Sequence, residues 1–159
     1  MTPNVVPASV DMDRKRTSGS RVIPAPPEAI FELLADPAKH SLIDGSGTVH
    51  ANRSSNPNRL SEGATFGMAM KFGPLPYGIS NTVSEFVEPS VIEWHHFGRH
   101  RWRYELEPVE GGTKVTETFD WGQAILPAIG YELVGYPERH RHSIDATLQR
   151  LEQHFSETP

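Results

Sequence analysis

Three groups of side chains in this sequence have types and spacings that could do chemistry. The first is a single carboxyl. In Val115-Thr-Glu-Thr-Phe119 the two-residue alternation sets Glu117 on one face with Val115, Phe119 and Trp121, opposite Lys114, Thr116, Thr118 and Asp120. A carboxyl turned into an apolar interior resists ionisation, because burial disfavours its charged form, and this suits it to general acid or base work. Two plainer outcomes stand beside that one: an ion pair with a nearby arginine, or a local twist that turns Glu117 out to water. Glu93 raises the same question more weakly, since Ile92, Trp94 and His96 hold the inner face of its strand.

The second group is histidine. His95 and His96 are adjacent and so point to opposite faces of a strand, while His140 and His142 stand two apart on a helix, nearly opposite one another. No HExxH motif or carboxylate spacing joins them, so no metal is expected. His96, on the face of Ile92 and Trp94, can serve as a hydrogen-bond partner or acid–base group at a pocket mouth. Glu117 and His96 are the candidate catalytic residues.

The third group is apolar. Phe66, Met68, Met70, Trp94, Trp102, Tyr104, Phe119 and Trp121 all fall on inward positions of alternating strands. Such residues fill cores. A set this rich in methionine and aromatic rings also adapts to irregular apolar ligands, and its polar tips need partners once buried. With Ile144 from the last helix, these are the candidate ligand-binding residues.

Other chemistries are excluded or unsupported. There is no cysteine, which removes disulfides, thiolate metal sites and cysteine nucleophiles. Gly45-Ser46-Gly47 lacks the third glycine of a dinucleotide fingerprint, and no GxSxG or GxxxxGK[ST] motif occurs, so no cofactor is expected. Arg99, Arg101 and Arg103 read as a solvated outer face, although a one-residue slip of register would bring Arg101 and Arg103 inside. Net charge is −5, and no long basic run exists, which disfavours nucleic acid as a partner. The N-terminal stretch has no apolar run of a signal peptide and no window suits a membrane span, so a cytoplasmic protein is expected.

The elements that must position these residues emerge from periodicity. With 159 residues, 36% hydrophobic and 22% charged, one domain with a sufficient core is expected. Residues 1–17 are polar and read as a flexible N-terminal tail. Residues 18–23 read as a strand, and Pro27-Glu28 opens a short helix through about Ala35 with Ile30, Leu33 and Leu34 on its apolar face. Asp36-Pro37 ends it and caps a second short helix through about Leu42. Strands are expected at about 48–53, 64–72, 78–88, 91–97, 100–108 and 113–121, with a polar loop over 52–62. Gly111-Gly112 marks the last hairpin. A final helix over 137–155 carries Ile144, Leu148, Leu151 and Phe155 at steps of four, three and four. The loop 73–77 and the segment 123–135 are placed to act as a lid.

The stretch Arg21-Val-Ile-Pro-Ala-Pro-Pro-Glu-Ala-Ile-Phe-Glu-Leu-Leu-Ala-Asp-Pro37, with Trp102-Arg-Tyr-Glu-Leu-Glu-Pro108 and Gly112-Thr-Lys-Val-Thr-Glu-Thr-Phe-Asp-Trp121, resembles the START-like, or helix-grip, superfamily, in particular its polyketide cyclase/dehydrase and lipid-transport members. The resemblance covers about residues 18–156 and implies an α+β fold: a curved antiparallel sheet of about seven strands wrapped around a long C-terminal helix, with two short helices after the first strand. It implies a single ligand-binding domain with a cavity between sheet and helix. The expected function is binding of a small hydrophobic or aromatic molecule, lipid- or polyketide-like; the alternative is a polyketide cyclase/dehydratase-type enzyme using Glu117 and His96. Oligomeric state is not legible.

Overall fold

A computed structural model describes residues 4–44, 49–52, 56–72, 74–96, 99–122 and 136–156. The elements run β1 (Val5–Asp11), β2 (Arg16–Ile23), α1 (Pro27–Leu34), α2 (His40–Ile43), β3 (Val49–Asn52), β4 (Thr65–Phe72), β5 (Leu75–Val87), β6 (Val91–His96), β7 (Arg101–Val109), β8 (Gly112–Asp120) and α3 (Tyr136–Ser156). All neighbouring strands are antiparallel in one open sheet ordered β1-β2-β8-β7-β6-β5-β4-β3, so the first and third strands form its two edges. The helix-grip expectation therefore holds, with one strand more than the seven expected.

The extra strand corrects the reading of residues 1–17 as a flexible tail. β1 pairs with β2 along Val5↔Arg21, Val6↔Ser20, Ser9↔Ser18, Val10↔Thr17 and Asp11↔Arg16, with a bulge between Val6 and Ser9. At the bulge the Ala8 amide donates to Asp145 Oδ1 of α3 at 2.8 Å, which ties the edge strand to the helix. Gly19 makes room for this crossing: a Cβ built there would stand 2.8 Å from the Ala8 Cα. That obstacle is backbone, which cannot swing away. Gly19→Ala should push β1 off, break the Ala8–Asp145 bond and lower stability by about 1–3 kcal/mol. Hydrogen exchange should then show fast amides at residues 5–11; unchanged protection there would refute the account.

The alternation of β7 and β8 builds the centre of the sheet. Tyr104↔Glu117, Trp102↔Phe119 and Leu106↔Val115 stand opposite one another, and Trp94↔Trp102 and Ile92↔Tyr104 continue the rows into β6. Arg101 and Arg103 lie on the other face, where Arg103 pairs with Glu85 at 2.6 Å and Glu105 at 2.7 Å, and both arginines reach Glu93. Glu93 thus faces outward and is held by cations and by the Ser84 hydroxyl at 2.8 Å. Gly112, at φ 146° in the β7–β8 hairpin, lies so near the Ile23 carbonyl that no side chain fits.

α3 buries Ile144, Thr147, Leu148 and Leu151 and packs against β1, β2 and β8. Pro137 sits in its first turn, where no intrahelical amide bond is lost. α1 buries Ile30, Phe31, Leu33 and Leu34, and Asp36 caps the following 3-10 turn through Ala38 N at 3.0 Å. The loop before β4, expected to be polar and exposed, is anchored twice: Leu60 is buried with its amide on the Ala35 carbonyl at 2.7 Å, and Asn56 binds both backbone groups of Gly67 at 2.6 and 2.7 Å. Of the expected lid, Gly73 and residues 123–135 lie outside the described residues, and Leu75 to Tyr77 begin β5.

Candidate functional site

The inward face of the sheet holds two joined clusters. The first centres on Trp94. Its ring lies 5.4 Å from Phe66, edge to face, and 5.6 Å from Tyr104. His40 of α2 stacks on it at 5.1 Å, meets Phe66 at 5.5 Å, and donates from Nε2 to the Leu34 carbonyl at 2.8 Å. That bond orients the ring, and burial lowers the His40 pKa, so it is neutral at pH 7.

Glu117 closes this cluster on the β8 side and is 2% exposed. The Tyr104 hydroxyl donates to its Oε1 at 2.9 Å. Its Oε2 is buried and has no hydrogen-bond partner among the described residues. Directly across the β2/β8 ladder stands Gly19, so its β2 neighbour offers no side chain. Burial holds the Glu117 carboxyl well above the usual carboxylate range; the Tyr104 bond opposes this, while Asp44 and Asp145 add to it as like charges. Tyr104 is likewise pushed up by burial and by Glu117. Neither plainer outcome for Glu117 occurs: the strand is regular and the paired group is a phenol, not an arginine.

The second cluster sits at the end of the sheet where β6 gives way to β7. Phe119 is its hub, with ring centres 4.0 Å from His140, 4.6 Å from Trp102, 5.7 Å from His100 and 6.2 Å from Trp121. His96 Nε2 lies 3.0 Å from His100 Nδ1, so one imidazole donates to the other. Burial lowers all three histidine pKa values, helped by their mutual repulsion: His100 falls to about 4, His140 to about 3, and His96 in the same direction, with His95 adding to its shift. All three are uncharged at neutral pH.

The structure thus brings together Phe66, Trp94, Trp102, Tyr104, Glu117, Phe119, Trp121 and His96 on one face, with Ile144 buried beneath α3. Met68 and Met70 lie in β4, paired with Ile79 and Tyr77, but their side chains are outside the described residues. Sequence reasoning missed His40 altogether and did not place His100 and His140 beside His96. The signal for His140 was present: residues 140, 144 and 148 are spaced by four, so His140 shares the apolar stripe of α3. An open cleft of about 310 Å3 lies elsewhere, lined by Glu28, Phe31, Glu32, Glu88 and Pro89. Arg59 bridges Glu32 and Glu88 beside it.

A family model described as polyketide cyclase / dehydrase and lipid transport matches residues 14–156. The chain belongs to this family. Among its curated relatives is the uncharacterized protein Rv0088 of Mycobacterium tuberculosis strain H37Rv, 37% identical over 151 residues, which span 92% of this chain and 67% of that one. Solved structures with the same fold include protein Ms6760 of Mycobacterium smegmatis, at a TM-score of 0.70 and 17% identity over 98% of this chain and 99% of that one. The AHSA1-like protein of Aeromonas hydrophila has the same fold at 0.61 and 19%, over 91% and 96% of the two chains. For a member of the polyketide cyclase/dehydrase and lipid-transport family, fold and sequence together suggest a helix-grip domain of the hydrophobic ligand-binding kind. Among the described residues no helix is long and apolar enough to cross a membrane.

Proposed function

We propose that the protein holds a small hydrophobic or aromatic molecule between its sheet and α3, against Phe66, Trp94, Trp102, Tyr104, Phe119 and Trp121, with Ile144 of α3 completing the wall. The observation that carries this reading is the Glu117 carboxyl, which keeps one oxygen without a partner among the described residues, in an otherwise aromatic interior. An unsatisfied buried polar atom costs about 1–3 kcal/mol, a cost that a guest's polar atom would remove. The body of the guest gains about 25 cal/mol for each Å² of apolar surface it buries. His96 stands at the β6 end of the same face as a further polar contact.

Native mass spectrometry of the purified protein, with solvent extraction of whatever it carries, tests the proposal. Apolar adducts released on denaturation are expected. A protein with no adducts and no affinity for a panel of lipophiles would end it. A second reading rests on the raised Glu117 pKa beside the Tyr104 hydroxyl: that carboxyl could give and take a proton during aldol closure and water loss of a poly-keto chain, with His96 as partner base. Glu117→Gln and His96→Ala should then abolish turnover while binding survives, and unaltered rates in both would discard the enzyme reading.

A further inference from the structure

Given a guest on this face, as proposed above, a second polar contact lies within the same wall. Thr17 of β2 is fully buried, and its hydroxyl has no hydrogen-bond partner among the described residues. Other hydroxyls of these strands are engaged: Thr113, equally buried, donates to the Ala25 carbonyl at 2.7 Å, and Ser18 on the outward face meets the Thr118 hydroxyl at 3.0 Å. Thr17 stands directly across from Phe119 in the β2/β8 ladder, and the next inward-facing pair is Gly19 opposite Glu117. Directly opposed residues share a face of the sheet, so Thr17 lies on the inward side with Phe119 and Glu117. Thr17 and Glu117 are diagonal neighbours, a relation that sets residues about 7–8 Å apart. Gly19 adds no side chain between them, and the Ala8 backbone lies against its inward side, so no group of β2 links the two.

We propose that Thr17 is a second polar anchor of this site, so that the guest is an aromatic molecule with two separated polar groups, one held by the Thr17 hydroxyl and one by the Glu117 carboxyl. The match depends neither on charge nor on which atom of the Glu117–Tyr104 pair carries the proton. A threonine hydroxyl can donate or accept, and so can a hydroxyl on the guest, which therefore fits either state of the carboxyl. Each contact removes the penalty of a buried polar atom left unpaired, a penalty that a hydrocarbon of the same outline leaves in place. Phe119, facing Thr17 across the ladder, and Trp102, with its ring centre 4.6 Å from that of Phe119, set aromatic surface beside this anchor.

Four compounds uncharged at pH 7 separate the cases: naphthalene, 2-naphthol, and the 2,6- and 2,7-dihydroxynaphthalenes, which set a second hydroxyl at two different distances from the first. Binding to the full chain is read by isothermal titration. Naphthalene should bind weakest, 2-naphthol about tenfold tighter, and the better of the two diols about tenfold tighter again, the equivalent of one good hydrogen bond at each step. Thr17→Val, which keeps the shape and removes the hydroxyl, should bring that diol down to the level of 2-naphthol, and Thr17→Ser should keep its advantage. Thermal melts check that both variants fold, and the order of the four compounds on the unaltered protein stands whether or not they do. If neither diol binds tighter than 2-naphthol, or if Thr17→Val leaves the advantage of the diol intact, the second anchor is overturned while the apolar site stands. A water held permanently by Thr17 would give the first of these results. Should none of the four bind, the apolar site falls and the anchor falls with it.

Discussion

Phe119→Ala is expected to lower the unfolding free energy by about 3–5 kcal/mol, the range for emptying a buried aromatic site. Phe119 is 2% exposed and its ring touches Trp102 of β7, His100 before it, Trp121 beyond β8 and His140 of α3. With Trp102, whose ring lies 5.1 Å from His140, it is therefore a ring on which the start of α3 rests against the sheet. At roughly 2–4 °C per kcal/mol for a domain of this size, the melting temperature should fall by about 10 °C. Phe119→Leu, which preserves most of the volume, should cost less than about 1.5 kcal/mol. Urea titration of the two variants checks this. A loss below about 1 kcal/mol for the alanine variant would mean that Phe119 faces open space and is no hub.

The second large effect is acid lability. His40, His96, His100 and His140 are all held neutral by burial, His100 with a pKa of about 4 and His140 of about 3. In the unfolded chain each would protonate near pH 6.5. Between those values the unfolded state binds more protons than the folded one, so stability is fully present above pH 6.5 and is lost as pH falls. At pH 5 the cost is about 2 kcal/mol for each of His100 and His140, at ~1.4 kcal/mol per pH unit, so the pair should remove on the order of 2–4 kcal/mol relative to pH 7. Glu117 has the opposite sign: its raised pKa means the folded state holds a proton that the unfolded state gives up, which adds stability as pH falls. Glu117→Gln should therefore steepen the acid loss, and His140→Phe, which keeps a ring on Phe119, should flatten it. Urea midpoints measured from pH 8 to pH 4.5 decide; a flat profile for Glu117→Gln, from which the opposing carboxyl has been removed, would contradict the burial of these imidazoles.

Much of this was legible in the sequence because alternation is a strong signal. β7 and β8 show polar and apolar residues in strict turn, and the faces fall as read, with Trp102, Tyr104, Glu117 and Phe119 on one side of the sheet. The amphipathic stripe of α3 was equally plain. What escaped had no local signature. β1 is an edge strand of weakly patterned residues whose order depends on a bulge, a glycine partner and one bond to a helix 137 positions away, none of which a short window contains. His40 lies on a helix of four residues, too short for a period, and its partners Phe66 and Trp94 come from strands far along the chain. The pairing of Glu117 with a phenol rather than a guanidinium depended on register alone. Alternation fixes which face a residue takes, but not which neighbour stands across from it.

Asn56 has an effect at the other border of the molecule. β3 is short, and past Asn52 the flank of β4 would present the bare amide and carbonyl of Gly67. The Asn56 carboxamide occupies both, acting as a detached peptide unit. Groups that could recruit a foreign strand are already engaged, so cross-β accretion from that lip must first dislodge a side chain belonging to the same molecule.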